Sequence, residues 1–156
     1  MSDELVIFLT AMTPIGELRA SIPLGLLTFD LPVWSTFLLS VTGNMIPVPF
    51  LMLTLRKTGT WLERQDNPPG ALLRWRTHGI RSRYGPRLAR YGPLALVLLV
   101  AVPVPVTGAW TGSLAVWALH MPLKQGIPAI ATGVLIAGGV VTGLSLAGIE
   151  LFSRLT

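Results

Sequence analysis

The first apolar block of the sequence contains an acid and a base close together, Glu17 and Arg19. Inside a bilayer such side chains are costly, and they normally pair or face a water-filled path. Next to a break in a helix, Glu17 is suited to bind a cation, a cationic solute or an exchangeable proton. Arg19 can neutralise Glu17, or hold an anionic group as a planar fork of donors. The alternative is a buried ion pair that only fixes the local turn.

Further polar side chains in apolar surroundings are candidates for binding a solute or ion: Asn44, Thr107, Trp110 and Thr111. Hydroxyl donors, an aromatic surface and the close backbone approach that glycine allows would together form a second wall of a site. Two alternatives stay open. Trp110 is also typical of a packing or interfacial aromatic, and Asn44 is also suited to bond carbonyls that Pro47 and Pro49 leave exposed.

The composition is that of a membrane protein. The chain has 156 residues, of which 51% are hydrophobic and 12% charged, whereas soluble domains carry about 25% charged residues. Its mean hydropathy is +0.64. A water-soluble fold is therefore not expected.

Four apolar blocks are each near the roughly 20 residues that a helix needs to cross the hydrocarbon core. The blocks 33–55 and 127–149 carry no formal charge, so we interpret them as transmembrane helices, the first interrupted near Pro47. The blocks 5–29 and 93–119 are broken by proline and glycine, and we interpret them as re-entrant hairpins whose exposed backbone lies in protein or a watery cavity. The alternative is a proline-kinked spanning helix.

Eight residues define these breaks and the close packing around them: Pro14, Gly16, Pro23, Gly25, Pro103, Pro105, Gly108 and Gly112. The order of hairpin, short linker and spanning helix occurs twice at an offset of ninety residues, at which Gly43 aligns with Gly133. The sequence thus predicts an all-α integral membrane protein with an inverted repeat of residues 1–55 and 91–156.

A basic segment, 56–90, separates the two predicted repeats and holds nine of the twelve Lys and Arg residues. Such a distribution predicts a cytosolic loop of an inner-membrane protein. We expect a turn at Asn67-Pro68-Pro69-Gly70, followed by an amphipathic helix over residues 71–90 that contacts anionic lipid head groups.

Several classes of function lack their motifs in this sequence. There is no cysteine, no pair of histidines at metal-ligand spacing, no phosphate-binding loop and no nucleophile elbow. We expect no enzyme activity, cofactor, metal or nucleic-acid partner. A homo-oligomer is expected, because so small a chain leaves much polar backbone to cover; the Gly139/Gly143 pair is a candidate contact.

Three strings resemble the small multidrug export protein family, a group of short bacterial and archaeal membrane proteins. They are PIGELRASIPLG at 14–25, GNMIPVP at 43–49, and YGP at 91–93 continuing to PVPVTGAWTG at 103–112. The family's first motif usually continues with glycine where this chain has Ala20. The resemblance implies export of small molecules. From Glu17 we expect this export to be coupled to a proton or another cation.

The broken hairpins are also similar in architecture to the DedA family of membrane proteins. That resemblance implies two opposed re-entrant hairpins and translocation of polyprenyl-phosphate or another phospholipid. A third hypothesis is a membrane scaffold that transports nothing. These hypotheses differ in which residue matters most: an exporter depends on Glu17, a lipid-phosphate carrier depends at least as much on Arg19, and a scaffold tolerates the loss of both.

Overall fold

A computed structural model of the chain describes residues 2–102 and 108–155, and all secondary structure in these ranges is helical. Pro103, Pro105 and Thr107 lie outside the described residues. A π-helical turn, Leu24–Thr28, extends the second helix. The helices are α1 Asp3–Met12, α2 Glu17–Pro23, α3 Val33–Glu63, α4 Pro68–Tyr91, α5 Pro93–Ala101, α6 Ala109–Ala118 and α7 Leu123–Leu155.

Helices α1 and α2 form a hairpin that packs on α3. A Cβ placed on Gly25 would lie 2.7 Å from Ile7 Cδ1 and 2.5 Å from Thr36 Cγ2, so these three residues meet. A Cβ on Gly43 would lie 2.6 Å from the carbonyl oxygen of Phe8. Helix α1 therefore runs parallel to α3, and α2 runs antiparallel to it. The turn of the hairpin lies beside the middle of α3.

Helices α5 and α6 pack on α7 in the same way. A Cβ on Gly133 would lie 2.6 Å from Val100 Cβ, and one on Gly126 would lie 2.7 Å from Val116 Cγ2. Gly112 packs against Val100, with a Cβ-to-Cγ2 separation of 2.8 Å. Each half of the chain is thus a helical hairpin laid along one long helix, with glycine at the closest approaches.

The two long helices exceed their predicted lengths. Both are long and apolar enough to cross a membrane, but α3 continues to Glu63 and α7 begins at Leu123, whereas the sequence predicted 33–55 and 127–149. The predicted lengths followed apolar content, and polar residues also continue a helix. The predicted interruption near Pro47 is present but small: the α-helix is interrupted at Ile46, between Val33–Met45 and Pro47–Thr54, while Ile46 keeps helical backbone angles (φ −59°, ψ −46°), so the chain continues as one long helix.

The basic segment folds as the last part of α3 and the whole of α4. The expected turn at residues 67–70 instead starts a helix: the side chain of Asn67 accepts a hydrogen bond of 2.9 Å from the Gly70 N–H. Proline is well tolerated at the first helical positions, where no backbone donor is needed. The buried residues Leu73, Thr77, Ile80 and Leu88 recur at helical spacing, so one face of α4 packs on the rest of the protein.

Candidate functional site

The turn of the first hairpin is built from short local hydrogen bonds. The Gly16 N–H donates to Thr13 Oγ1 over 3.1 Å, and the Glu17 N–H donates to the Thr13 carbonyl over 3.2 Å. Glu17 itself has a φ of +48°, a region that side-chain-bearing residues seldom occupy. The strained backbone turns Glu17 inward, where only 7% of it is exposed.

The carboxylate of Glu17 lies at the N-terminus of α6, in the other half of the chain. Its Oε1 accepts a hydrogen bond of 3.3 Å from the Trp110 N–H, and the Ala109 N–H also bonds to it. A Cβ on Gly108 would overlap the carboxylate, so a larger residue there would require the Glu17 side chain to move. The first N–H groups of a helix have no partner within the helix and carry a partial positive charge. Glu17 therefore satisfies donors that the break exposes.

Trp110, in the second hairpin, in turn bonds a free backbone group of the first hairpin. Its indole Nε1–H donates to the Met12 carbonyl over 3.3 Å, and Met12 is the last residue of α1. The carbonyls in the last turn of a helix also lack partners within the helix. The expectation that Trp110 contributes to the site and the alternative that it packs are thus both consistent with its position.

Arg19 contacts the second break from the other side. Its Nη2 donates to the Val102 carbonyl over 3.2 Å, and Val102 follows the last residue of α5. The guanidinium and the Glu17 carboxylate also attract each other electrostatically. The two charged side chains thus reach opposite ends of the second break, the acid the start of α6 and the base the end of α5.

A buried line of polar residues runs from Glu17 along the contact between α2 and α3. Ser21 donates a hydrogen bond of 2.8 Å to the Ser40 hydroxyl, and both residues are fully buried. One turn further, Gly25 meets Thr36, which is also fully buried. The same antiparallel register, continued one turn in the other direction, places Asn44 level with Glu17. We call Ser21, Thr36, Ser40 and Asn44 the polar seam.

Two members of the polar seam have unpaired polar atoms. Neither the oxygen nor the nitrogen of the Asn44 amide has a hydrogen-bond partner in the described residues, nor does the Thr36 hydroxyl, although Asn44 is only 1% exposed and Thr36 fully buried. Leaving a buried polar group without a partner costs about 1–3 kcal/mol. Such groups call for a functional explanation, such as a transient ligand, ion or water.

A cavity of about 790 Å³ opens between α2 and the C-terminal half of α7. Its wall is mainly apolar, with Leu26, Val141, Leu144 and Phe152 among the lining residues. Arg19 and Asp30 supply opposite charges to the same wall. The volume and the mixture of apolar surface with few polar groups are those of a site for a drug-sized molecule.

The structure brings three of the six predicted binding residues together directly, Glu17, Arg19 and Trp110. The antiparallel register of α2 and α3 places Asn44 beside Glu17. Thr111 is half-buried in the first turn of α6. Thr107 lies outside the described residues. In the ranges 2–102 and 108–155, no three His, Asp or Glu side chains are grouped as metal ligands would be. Sequence reasoning missed Ser21, Thr36 and Ser40, although Thr36, Ser40 and Asn44 recur every fourth residue, which places them on one helix face.

We predict that Asn44→Leu raises the free energy of unfolding by about 1–2 kcal/mol, since it removes a buried amide without a partner and keeps a similar volume. The matched control, Asn67→Leu, should lower the free energy of unfolding by about 1 kcal/mol, because this substitution removes a helix cap. Both are measured by denaturant unfolding of the purified protein in detergent. Destabilisation by Asn44→Leu would show that the amide has a stabilising partner.

Comparison with known proteins places the chain in a family. The profile of a family described as "Putative small multi-drug export protein" matches residues 17–140, which start at the first residue of α2 and include the basic segment and the second break. No curated protein and no solved structure matches the chain. The match begins at Glu17 itself and extends over well more than half of the sequence. The chain therefore belongs to the small multi-drug export protein family.

Proposed function

We propose that this protein exports a small molecule across the cell membrane and that a proton or another cation bound at Glu17 drives the export. The observation that carries the proposal is the position of Glu17: a buried acid of one hairpin bonded to the first N–H groups of a helix in the other hairpin. Binding a proton or cation changes the charge of this acid and thereby weakens its attraction to the helix N-terminus. The relative position of the two hairpins is thus coupled to the occupancy of Glu17.

The family and the packing support a membrane topology of two inverted units. In each half, the first helix of the hairpin runs parallel to the long helix and the second runs antiparallel, so the chain enters and leaves each hairpin at one end of the long helix. The hairpins would then be re-entrant, with their breaks near the bilayer midplane. In transporters built from inverted repeats, discontinuous helices at this depth bind substrate and coupling ion.

The cavity beside Arg19 is the proposed site for the exported molecule. Its apolar wall suits the hydrophobic part of a drug-like solute, and Arg19 and Asp30 offer a charge of either sign to its polar part. Because Arg19 also bonds the end of α5, a solute that recruits its guanidinium disturbs the second break. Substrate and coupling ion thus act on adjacent contacts between the same two hairpins.

The protein is proposed to work as a homo-oligomer in the inner membrane, with the basic segment on the cytosolic side. The outer face of α7 offers a surface for a second copy, because a Cβ placed on Gly139 or Gly143 would meet none of the described residues within 4 Å. Glycines at this spacing let two membrane helices approach closely.

Transport by the purified protein in liposomes tests the function. With an imposed pH or sodium gradient and ethidium as the probe, Glu17→Gln should lower the gradient-driven flux at least about tenfold, because a coupling acid is lost. The control Glu4→Gln, an exposed acid in the same hairpin, should keep the wild-type rate. Polyprenyl-phosphate movement that survives Glu17→Gln and is lost in Arg19→Ala would overturn the proposal in favour of a lipid translocase. Absence of both activities from well-assembled protein would favour a scaffold.

Single cysteines test the topology, since the chain contains none of its own. A membrane-impermeant thiol reagent added outside right-side-out vesicles should label Ser2→Cys and Thr28→Cys, the two ends of the first hairpin. The same reagent should reach Ser82→Cys and His120→Cys only after the vesicles are opened. Labelling of Ser2→Cys and Thr28→Cys from opposite sides would show a kinked spanning helix instead of a re-entrant hairpin.

A further inference from the structure

A second groove, separate from the cavity beside Arg19, lies in the corner between α4 and α5. The chain turns this corner at Gly92, whose φ of +54° favours glycine. The groove has a volume of about 570 Å³ and extends from Arg83 on α4 to Val102 at the end of α5. One of its ends is therefore basic and the other apolar.

The basic end is formed by arginines whose hydrogen-bond donors the described part of the fold leaves available. Helix α4 carries six arginines and no acidic residue. Arg74 and Arg81 donate hydrogen bonds to backbone carbonyls of other segments, those of Glu63, Gln65 and Ala118. Arg83 and Arg87 line the groove and make no hydrogen bond to another side chain or carbonyl in the described ranges.

The geometry of this end suits a phosphate group. Arg83 and Arg87 are four residues apart, so they lie on one face of α4, one turn from each other. The Arg83 guanidinium stacks near the ring of Tyr84, 5.8 Å from its centroid, and Tyr84 and Tyr91 also line the groove. Guanidinium groups bind phosphate oxygens in pairs, and tyrosine hydroxyls add donors.

The apolar end is a stripe along α5. Leu94, Leu98 and Val102 recur every fourth residue and are 61%, 59% and 49% exposed. The stripe is about 12 Å long at 1.5 Å per residue. It runs away from the basic end in the direction in which an acyl chain leaves a head group.

We propose that this groove binds one anionic phospholipid of the surrounding leaflet, with its phosphate at Arg83 and Arg87 and an acyl chain along Leu94, Leu98 and Val102. Charge complementarity selects the occupant: a neutral apolar partner would leave two arginines unpaired, and a soluble anion would leave the stripe uncovered. The bound lipid holds α5 in place up to Val102, whose carbonyl accepts the hydrogen bond from Arg19. The site is independent of whether the protein transports anything.

Native mass spectrometry of the delipidated protein with phosphatidylglycerol or phosphatidylcholine tests this site. Wild type should bind phosphatidylglycerol at least about tenfold more tightly than phosphatidylcholine, a preference that removal of two basic contacts should abolish. The double variant Arg83→Ala/Arg87→Ala should therefore bind the two lipids about equally. The matched control Arg64→Ala/Arg76→Ala, which removes the same charge from the basic segment outside the groove, should keep the preference.

A third variant tests the apolar end. Leu98→Trp fills the groove from an exposed position and should weaken phosphatidylglycerol binding while leaving the elution volume in size-exclusion chromatography unchanged. If both double-arginine variants lost phosphatidylglycerol binding equally, the binding would come from general attraction to the basic segment. That result would overturn the proposal. Unchanged binding in Leu98→Trp would place the acyl chain elsewhere and overturn it as well.

Discussion

Broken helices in an apolar protein expose backbone groups that need partners, and this need organises the structure. A continuous helix pairs its own N–H and carbonyl groups, but each break frees several of them, and hydrocarbon offers no water to replace the lost bonds. Here each hairpin provides hydrogen-bond partners for the free backbone groups of the other. Glu17 bonds the start of α6, Trp110 bonds the end of α1, and Arg19 bonds the end of α5.

This mutual capping explains why charged residues are found at the first break. A neutral side chain would also satisfy a backbone donor, but a carboxylate at a helix N-terminus adds about 0.3–1 kcal/mol, and up to about 2 kcal/mol when partly buried. The same charge makes the contact switchable, because a bound proton or cation cancels it. In the proposed function, one side chain thus serves both as a structural contact and as the coupling site.

The two halves share their packing but differ in polarity. At the ninety-residue offset, the polar-seam residues Thr36, Ser40 and Asn44 correspond to Gly126, Ile130 and Val134. All three counterparts are buried, and two of them are apolar. Among the described residues, only those of the first half form a buried polar line that leads to Glu17, and the second half contributes mainly helix ends.

Much of this arrangement could be predicted from the sequence, because the features were local. Proline and glycine located both breaks, and two charges in an apolar block located Glu17 and Arg19. The polar seam was missed because serine and threonine are common in membrane helices and often bond their own backbone, so their type alone carries little signal. The register that joins Ser21 to Ser40 depends on tertiary packing, as does the bond from Arg19 to Val102. The amphipathic helix was predicted from residue 71, whereas α4 begins at Pro68, because the residues Asn67-Pro68-Pro69-Gly70 can start a turn or a helix.

The claim that most directly supports the account is that the Glu17 carboxylate holds the first N–H groups of α6. Hydrogen exchange of the Ala109 and Trp110 amides, followed by NMR in nanodiscs, measures that bond. In Glu17→Ala both amides should exchange at least about tenfold faster than in wild type, while amides in the middle of α4 keep their rates. Unchanged exchange at Ala109 and Trp110 would contradict the account, because the helix start would then be held by something other than Glu17.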